Sequence, residues 1–320
     1  MKHIRKVSLA LIVTGTLISA ITQASEWPAK GIKLTVGYGA GGTTDTTARV
    51  LAASLEKSLE TKVTVLNKAG GGGSVAAALA KGKKPDGYNL FTLTTGAAVL
   101  SPHMQDLPYD PIEDFTYIAQ FAQWNLGIVV PKSSPYNTLG DLLEFAKNNP
   151  GEISYAIAGT GTPQHLTMQR LAIVEGINWK AVPFKGGAAS VTALLGNHVD
   201  LMAGATEWLP QVLSGEFKLL AIITNKRMEQ FPNTPTLLDL GYEISAPSIL
   251  GIAGPAGIPK EIVNKLEVAI KKASNSKEMA EIINRLAMQT NYLDSESFKN
   301  NVEIEFNTQG EIIHSIGLAK

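Results

Sequence analysis

The 320-residue sequence contains no cysteine. This excludes disulfide bonds, thiol catalysis, cysteine metal sites and attachment of a lipid to an N-terminal cysteine. Arginine is also scarce, because beyond residue 24 it occurs only at Arg49, Arg170, Arg227 and Arg285. A two-pronged guanidinium clamp is therefore not the obvious way for this chain to bind an anion. We therefore expect an anion to be bound by backbone N–H groups, threonine hydroxyls and bridging waters.

The first 24 residues have the three-part layout of a secretory signal peptide. Lys2, Arg5 and Lys6 precede an apolar run over residues 7–21, and small residues follow around Ala24. A membrane anchor is the alternative, but the run is short for a span of about 20 residues. We expect cleavage after about Ala24 and export to the periplasm without a lipid anchor.

Little excess charge of either sign remains after cleavage. The full sequence has 28 basic and 28 acidic residues, and loss of the three basic residues of the signal leaves a formal charge of −3. Such a balance does not indicate binding to nucleic acid or to a membrane surface. The remaining 296 of the 320 residues exceed the size at which one hydrophobic core usually keeps growing, so two domains are expected.

Strand-like and helix-like segments alternate along the chain, which predicts βαβ units with a mostly parallel sheet in each domain. In the first module we expect strands at 33–38, 62–66 and 90–94 and helices at 45–59 and 74–80. In the second module we expect strands at 127–130, 153–158, 199–203 and 219–224 and helices at 138–148 and 162–174.

A short repeat, L-G-I-x-x-P, occurs at residues 126–131 and again at 250–255. Two copies so far apart cannot stack as a solenoid. We interpret them as two crossings of the chain between domains, although chance recurrence is an alternative for so short a motif. The first domain would then comprise residues 25–122 and 250–320, the second residues 123–249, and a ligand site is expected between them.

Two glycine-rich turns, one in each module, connect a predicted strand to a predicted helix. The first runs from Tyr38 to Asp45 and the second from Ala158 to His165. Glycines let backbone N–H groups face outward, and a helix start adds the positive end of its dipole, so both turns are suited to anions. Helix capping by Thr43, Thr44 or Thr162 is the structural alternative. A P-loop and a dinucleotide fingerprint are both absent.

A third turn places Lys185 before Gly186 and a helix, where the lysine either supplies positive charge or is an ordinary loop residue. For Asp45 the alternative role is a first-turn helix acid, and for His165 a packed or surface histidine.

The order and spacing of many short motifs resemble the tripartite tricarboxylate transporter substrate-binding proteins, also called the Bug family. The matching segments are W-P-A-K at 27–30, G-G-T-T-D at 41–45, P-D-G-Y at 85–88, L-P-Y-D-P at 107–111, Y-A-I-A-G-T-G-T at 155–162, H-L at 165–166, V-P-F-K-G-G at 182–187, V-D-L-M at 199–202 and P-A-G-I-P at 255–259. Together they span essentially the whole chain after the signal segment.

The resemblance implies a two-domain α/β periplasmic binding protein of the Venus-flytrap, type II-like kind, which closes around a di- or tricarboxylate, an acidic amino acid or an aromatic carboxylate. It also implies that the two glycine turns hold one carboxylate, and that a large and a small integral membrane subunit receive the ligand. The family often has an aspartate soon after V-D-L-M, where this chain reads A-G-A-T at 203–206, so an amino-acid ligand becomes less expected.

The predicted ligand-binding residues are those of the turns and their neighbours. They are Tyr38, Ala40, Gly41, Gly42, Thr43, Asp45, Thr95, Ala158, Gly159, Thr160, Thr162, His165, Lys185, Gly186 and Thr206. No cofactor or metal is predicted, and we expect a monomer. The alternatives are a ligand sensor for a membrane kinase and a secreted hydrolase using Asp45 and His165, although the sequence has neither G-x-S-x-G nor H-E-x-x-H.

Overall fold

A computed structural model describes residues 27–246 and 248–320. The signal segment predicted at residues 1–24 lies outside this part of the chain. Within the described residues, none of the helices combines the length and the apolar character needed to cross a membrane.

Eleven strands and ten helices follow one another along the described part of the chain. In order they are β1 (Ile32–Val36), α1 (Thr43–Leu59), β2 (Val63–Asn67), α2 (Ser74–Lys81), β3 (Asn89–Thr94), α3 (Ser101–Met104), β4 (Phe115–Gln123), β5 (Leu126–Pro131), α4 (Leu139–Asn148), β6 (Ser154–Ile157), α5 (Pro163–Glu175), β7 (Lys180–Pro183), α6 (Gly187–Leu195), β8 (Leu201–Ala205), α7 (Leu209–Leu213), β9 (Phe217–Ile222), β10 (Leu250–Pro255), α8 (Lys260–Ser274), α9 (Lys277–Arg285), β11 (Gln289–Leu293) and α10 (Ser295–Ser315). Short helical turns at Gly71–Gly73, Gly96–Leu100 and Thr206–Trp208 connect some of them.

Two separate sheets organise these elements into two α/β domains. The first sheet has the strand order β11-β4-β10-β3-β1-β2, and the second has the order β7-β6-β8-β5-β9. Helices α1 and α8 pack together beside the first sheet, and α10 packs against β4. The two-domain α/β architecture expected from the sequence is therefore confirmed.

Both sheets are mixed, which differs from the expectation of mostly parallel sheets. In the first, β1 pairs in parallel with β2 and β3, whereas β10 is antiparallel to both β3 and β4. In the second, β6 pairs in parallel with β7 and β8, whereas β5 is antiparallel to both β8 and β9. The antiparallel pairs arise because β5 and β10 enter their sheets from the other domain rather than through a helical crossover.

The two copies of L-G-I-x-x-P form these two entering strands. β5 follows β4 after only two residues and lies in the other sheet, and β10 likewise follows β9, although after a longer connection. The exact domain limits remain a prediction.

Local sequence signals explain where several helices begin and end. The α4 helix starts with a capping box, in which the Thr138 hydroxyl accepts a hydrogen bond from the Asp141 N–H and the Asp141 carboxylate accepts from the Thr138 N–H. The α5 helix starts with Pro163, which needs no N–H partner there, and ends at Gly176 in the left-handed region. The boundaries expected for α1, α2, α4 and α5 lie within two residues of those observed.

Candidate functional site

A small cavity lies between the two domains, where β1 leads into α1 and β6 leads into α5. Its volume is about 30 Å³, which is room for one or two water molecules and not for an organic acid. The lining residues come from both domains and are Tyr38, Gly42, Thr43, Thr44, Trp124, Leu126, Ala158, Pro163, Gln164, Gly187, Ala205 and Glu207. The structure is therefore that of a closed cleft.

The start of α1 points into this cleft without a side-chain cap of its own. Gly42 occupies the N-cap position and α1 begins at Thr43, so the expectation that Thr43 or Thr44 caps the helix was wrong. Instead, the Thr43 N–H and hydroxyl both donate to Glu207 Oε1, at 3.1 and 2.8 Å. A carboxylate from the second domain thus accepts the hydrogen bonds that a helix start offers to an anion.

Asp45 shapes the first glycine turn from within and does not line the cavity. Its carboxylate accepts hydrogen bonds from the Gly41 N–H at 2.9 Å, from Arg49 at 3.0 Å and from the Asn67 amide at 2.8 Å. Burial tends to raise the pKa of Asp45, but these hydrogen bonds and the charge of Arg49 outweigh it and lower the pKa below its usual value. The side chain therefore fixes the turn in place.

Tyr38 forms one wall of the cavity and ties the first turn to a neighbouring glycine turn. Its hydroxyl donates to the Gly72 carbonyl at 2.8 Å and lies 3.5 Å from the Thr94 hydroxyl. Burial, only partly offset by the Thr94 hydrogen bond, raises the pKa of Tyr38 to about 12, and the negative charge of Glu207 adds to the effect. Tyr38 is therefore neutral at physiological pH.

The second glycine turn brings the start of α5 to the same cavity. Thr162 is the N-cap residue, but its hydroxyl donates to the Gly159 carbonyl at 2.8 Å and makes no capping hydrogen bond to the helix. His165 Nδ1 accepts from the Gly161 N–H at 3.3 Å, and burial lowers the pKa of His165. The first turn of α5 presents Gln164, a buried amide, to the cavity.

Backbone contacts between glycine turns hold the cleft closed. The Gly39 N–H donates to the Lys185 carbonyl at 2.7 Å across the cleft. Gly72 has a φ of +63°, and a methyl group added there would lie 2.9 Å from the Thr160 carbonyl oxygen in the other domain. Only glycine permits both that backbone conformation and so close an approach.

Three further hydrogen bonds join the two domains around the cavity. The Ser101 hydroxyl donates to the Gly161 carbonyl at 3.3 Å, and the Asn125 amide donates to the Ala287 carbonyl at 2.7 Å. The Thr206 hydroxyl donates to the Leu286 carbonyl. The two domains are therefore joined by side-chain hydrogen bonds as well as by the glycine turns.

Glu207 lies on a short helical turn between β8 and α7 that orients its side chain into the cleft. The next residue, Trp208, is fully buried in the second domain and its indole N–H donates to the Gly204 carbonyl at 3.1 Å. The carboxylate packs directly on Gly187, the first residue of α6, so that any side chain at that position would overlap it. The second oxygen, Oε2, is buried and has no hydrogen-bond partner among the described residues.

Four of the residues expected from the sequence line the cavity itself. They are Tyr38, Gly42, Thr43 and Ala158. The other expected residues do not line it. The first turn is shaped by Gly41 and Asp45, and the second turn is formed by Gly159, Thr160, Thr162 and His165. Contacts between the domains involve Lys185, Gly186 and Thr206, whereas Thr95 accepts a hydrogen bond from the Ile249 N–H and Ala40 is exposed.

Eight lining residues were not among those expected. They are Thr44, Trp124, Leu126, Pro163, Gln164, Gly187, Ala205 and Glu207. Glu207 directly follows the A-G-A-T segment at 203–206, and Gly187 is the last residue of the V-P-F-K-G-G segment at 182–187, but neither segment shows that the two residues lie against each other. The described residues contain no cluster of His, Asp or Glu suited to a metal ion.

Comparison with known proteins gives consistent matches over nearly the whole chain. The family model of the tripartite tricarboxylate transporter family receptor matches residues 47–318. A Cupriavidus necator protein, the UPF0065 protein in the gbd 5′ region, is 37% identical over 94% of this chain and 92% of its own length.

Two solved structures superpose closely on this fold. The periplasmic binding protein BugD has a TM-score of 0.87 at 30% identity, covering 92% of this chain and all of BugD. The R. palustris protein Rpa4515 with adipate has a TM-score of 0.86 at 26% identity, covering 92% of this chain and 99% of Rpa4515.

Proposed function

Because this chain belongs to the tripartite tricarboxylate transporter family of receptors, we propose that it captures a small organic carboxylate in the cleft between its two domains. The cavity lined by the starts of α1 and α5 supports binding at this position. The ligand enters an open form, and the two domains then close around it, less completely than in the conformation described above, whose cavity has no room for an organic acid.

One observation carries this proposal: two helices from different domains direct their uncapped first turns at one cavity. Neither Gly42 nor Thr162 caps its helix with a side chain. N–H groups at a helix start favour a negatively charged partner, and in the described conformation Glu207 is that partner for the Thr43 N–H. A carboxylate placed between α1 and α5 satisfies groups of both domains at once and so favours the closed form.

We propose that the two glycine turns contact the ligand directly or through water. The residues that we expect to contact the ligand first are those that line the cavity, namely Tyr38, Thr43, Thr44, Ala158 and Gln164. The remaining expected residues, including Asp45, His165 and Lys185, support the turns or the closure between domains.

Binding without catalysis is the better account of this site. Asp45 and His165, the residues considered for hydrolysis, make separate hydrogen bonds within their own turns and do not bond to each other. Neither lines the cavity. A triad requires a base held by an acid and aimed at a nucleophile, and these two side chains do not provide that arrangement.

We further propose that the protein is exported, cleaved after about Ala24 and released into the periplasm as a monomer. There it would deliver its ligand to a membrane transporter with one large and one small integral subunit. A sensor that presents the ligand to a membrane kinase is the alternative, and it would use the same closing receptor. Neighbouring genes for multi-span proteins favour transport, whereas a neighbouring histidine kinase gene favours sensing.

The first test identifies the ligand. Native mass spectrometry of gently purified protein should detect a bound small carboxylate. Addition of that carboxylate at 100 times its dissociation constant should stabilise the protein by about 2.7 kcal/mol. A broad panel of organic acids that leaves the melting temperature unchanged would contradict the proposal.

A second test asks whether closure is required. In Gly72→Ala the new methyl group lies 2.9 Å from the Thr160 carbonyl oxygen across the cleft, so ligand affinity should fall at least tenfold. Gly151→Ala is the matched control, because Gly151 has a similar φ of +78° but no atom within 4 Å of an added methyl group. Equal loss of affinity in both variants would show that backbone strain, and not closure, is responsible.

A further inference from the structure

The cavity wall contains both hydrogen-bond donors and a carboxylate. The side chains of Trp124 and Gln164 can donate hydrogen bonds to the cavity, whereas the Thr43 N–H of α1 already donates to Glu207. The Trp124 indole N–H is buried without a partner among the described residues. Glu207, as a carboxylate, offers only acceptors.

Glu207 has one oxygen fixed and the other unused. Oε1 accepts both hydrogen bonds of Thr43, whereas Oε2 is buried and unpartnered. Among the described residues no Lys, Arg or His lies within ion-pair distance of this carboxylate. A buried carboxylate oxygen without a donor is costly, so the closed cleft lacks a donor at this point.

The Glu207 carboxylate packs closely against the backbone of two glycines in the closed cleft. Its carboxylate occupies the space that a side chain at Gly187 would need, and Gly42 borders it, with Oε1 3.4 Å from the position of an added methyl group. Trp208 anchors the same turn in the core of the second domain. The carboxylate therefore stays in the site when the domains close and meets whatever part of the ligand lies beside it.

We propose that Glu207 is a specificity-determining residue that selects carboxylates bearing a hydrogen-bond donor. An ammonium group is preferred to a hydroxyl as this donor. This inference rests on the proposed function, since it assigns a ligand class to the same cleft. The Trp124 indole N–H and the Gln164 amide hold the ligand carboxylate, and the ligand's ammonium group donates to Glu207 Oε2. A second carboxylate in that place would face a like charge and leave Oε2 unsatisfied. This proposal differs from the expectation based on the sequence, in which an amino-acid ligand is less expected.

Three acids of matched carbon skeleton test the selection directly. Succinate has no donor on its chain, malate carries one hydroxyl and aspartate carries one ammonium group. Isothermal titration of the full-length mature protein with each acid at pH 7 should give affinities in the order aspartate, malate, succinate, with at least a tenfold difference between the first and the last.

The variant Glu207→Gln removes the charge while keeping the shape and an acceptor for Thr43. It should reduce the preference for aspartate over succinate at least tenfold. Glu144→Gln is the control, because Glu144 is an exposed residue of α4 and its loss changes the net charge by the same amount. This variant should keep the wild-type preference. Circular dichroism should show that both variants are folded.

Each other outcome overturns the inference in an identifiable way. Uniform tightening of all three acids in Glu207→Gln would mean that Glu207 competes with the ligand carboxylate instead of selecting its donor. Binding of succinate as tight as that of aspartate, unchanged in the variant, would mean that Glu207 has no role in selection. If none of the three acids binds, the acid identified by mass spectrometry tests the selection instead. An acid without a hydrogen-bond donor beside its carboxylate refutes the selection by Glu207. Failure to find any bound carboxylate refutes the proposed function as well.

Discussion

The hydrogen bond between the Thr43 hydroxyl and Glu207 Oε1 should contribute measurably to closure of the cleft. The two residues are 164 positions apart and lie in different domains, and their oxygens are separated by 2.8 Å. Thr43→Val replaces the hydroxyl by a methyl group of similar size and leaves the backbone N–H donor in place. Because Gly42 is the N-cap residue, the substitution removes no helix cap.

A hydrogen bond to a charged group contributes about 1.5–3 kcal/mol. Since Glu207 is only partly buried, we expect the lower end, about 1.5 kcal/mol, which is about a tenfold shift from the closed toward the open form. A double-mutant cycle with Thr43→Val, Glu207→Ala and the pair isolates this contribution. Urea unfolding of the four unliganded proteins, followed by circular dichroism, measures the coupling energy.

Thr46→Val is the matched control for this cycle. Thr46 is on the same helix, and its hydroxyl makes no hydrogen bond to any described residue. The coupling between Thr46→Val and Glu207→Ala should stay within about 0.5 kcal/mol of zero. A coupling just as small for Thr43 and Glu207 would refute the reasoning that this contact holds the cleft closed in solution.

Three further outcomes follow from the first glycine turn. Gly42→Val should weaken carboxylate binding at least tenfold by titration calorimetry without changing the far-ultraviolet spectrum, and Asp45→Asn should weaken it less; the reverse order would place the ligand elsewhere. Because the folded-state pKa of Asp45 is lowered, its stabilisation is complete above the unfolded-state pKa of about 3.9 and is lost as pH falls through the folded value. The free energy of unfolding should therefore fall less steeply between pH 5 and 3 in Asp45→Asn than in the wild type, and equal slopes would contradict this account. Tyr38→Phe, which loses the hydrogen bond to the Gly72 carbonyl, should lower the free energy of unfolding by about 0.5–1.5 kcal/mol, measured by urea unfolding; an unchanged value would show that the bond contributes nothing.

The sequence was sufficient for the local features of this fold. Alternating strand and helix patterns located β1, α1, β6 and α5 and the glycine turns between them, because periodicity, turn residues and caps act over a few residues. The direction of the strands was not predictable in the same way. It depends on where β10 inserts into the first sheet. This position is set by pairing with β3 and β4, which are distant from β10 in the sequence.

The composition of the site could be predicted only in part for the same reason. Tyr38, Gly42, Thr43 and Ala158 belong to turns that the sequence identifies without reference to the rest of the chain. Glu207 follows β8 as an ordinary acidic residue of a helix start, and its importance arises from Thr43 and Gly187, each on a separate element. No local pattern indicates that three elements meet, so Glu207 is not recognisable as a site residue from the sequence alone.

The position of β10 has a consequence for the order in which the protein can fold. All five strands of the second sheet lie between residues 126 and 222, whereas the first sheet lacks the strand between β3 and β4 until residues 250–255 have emerged. A chain that leaves a ribosome or a translocon from its N-terminus can therefore complete the second domain while the first is still two unjoined pieces. The first domain finishes last although its chain begins first, and the ligand cleft comes into existence only with that final step.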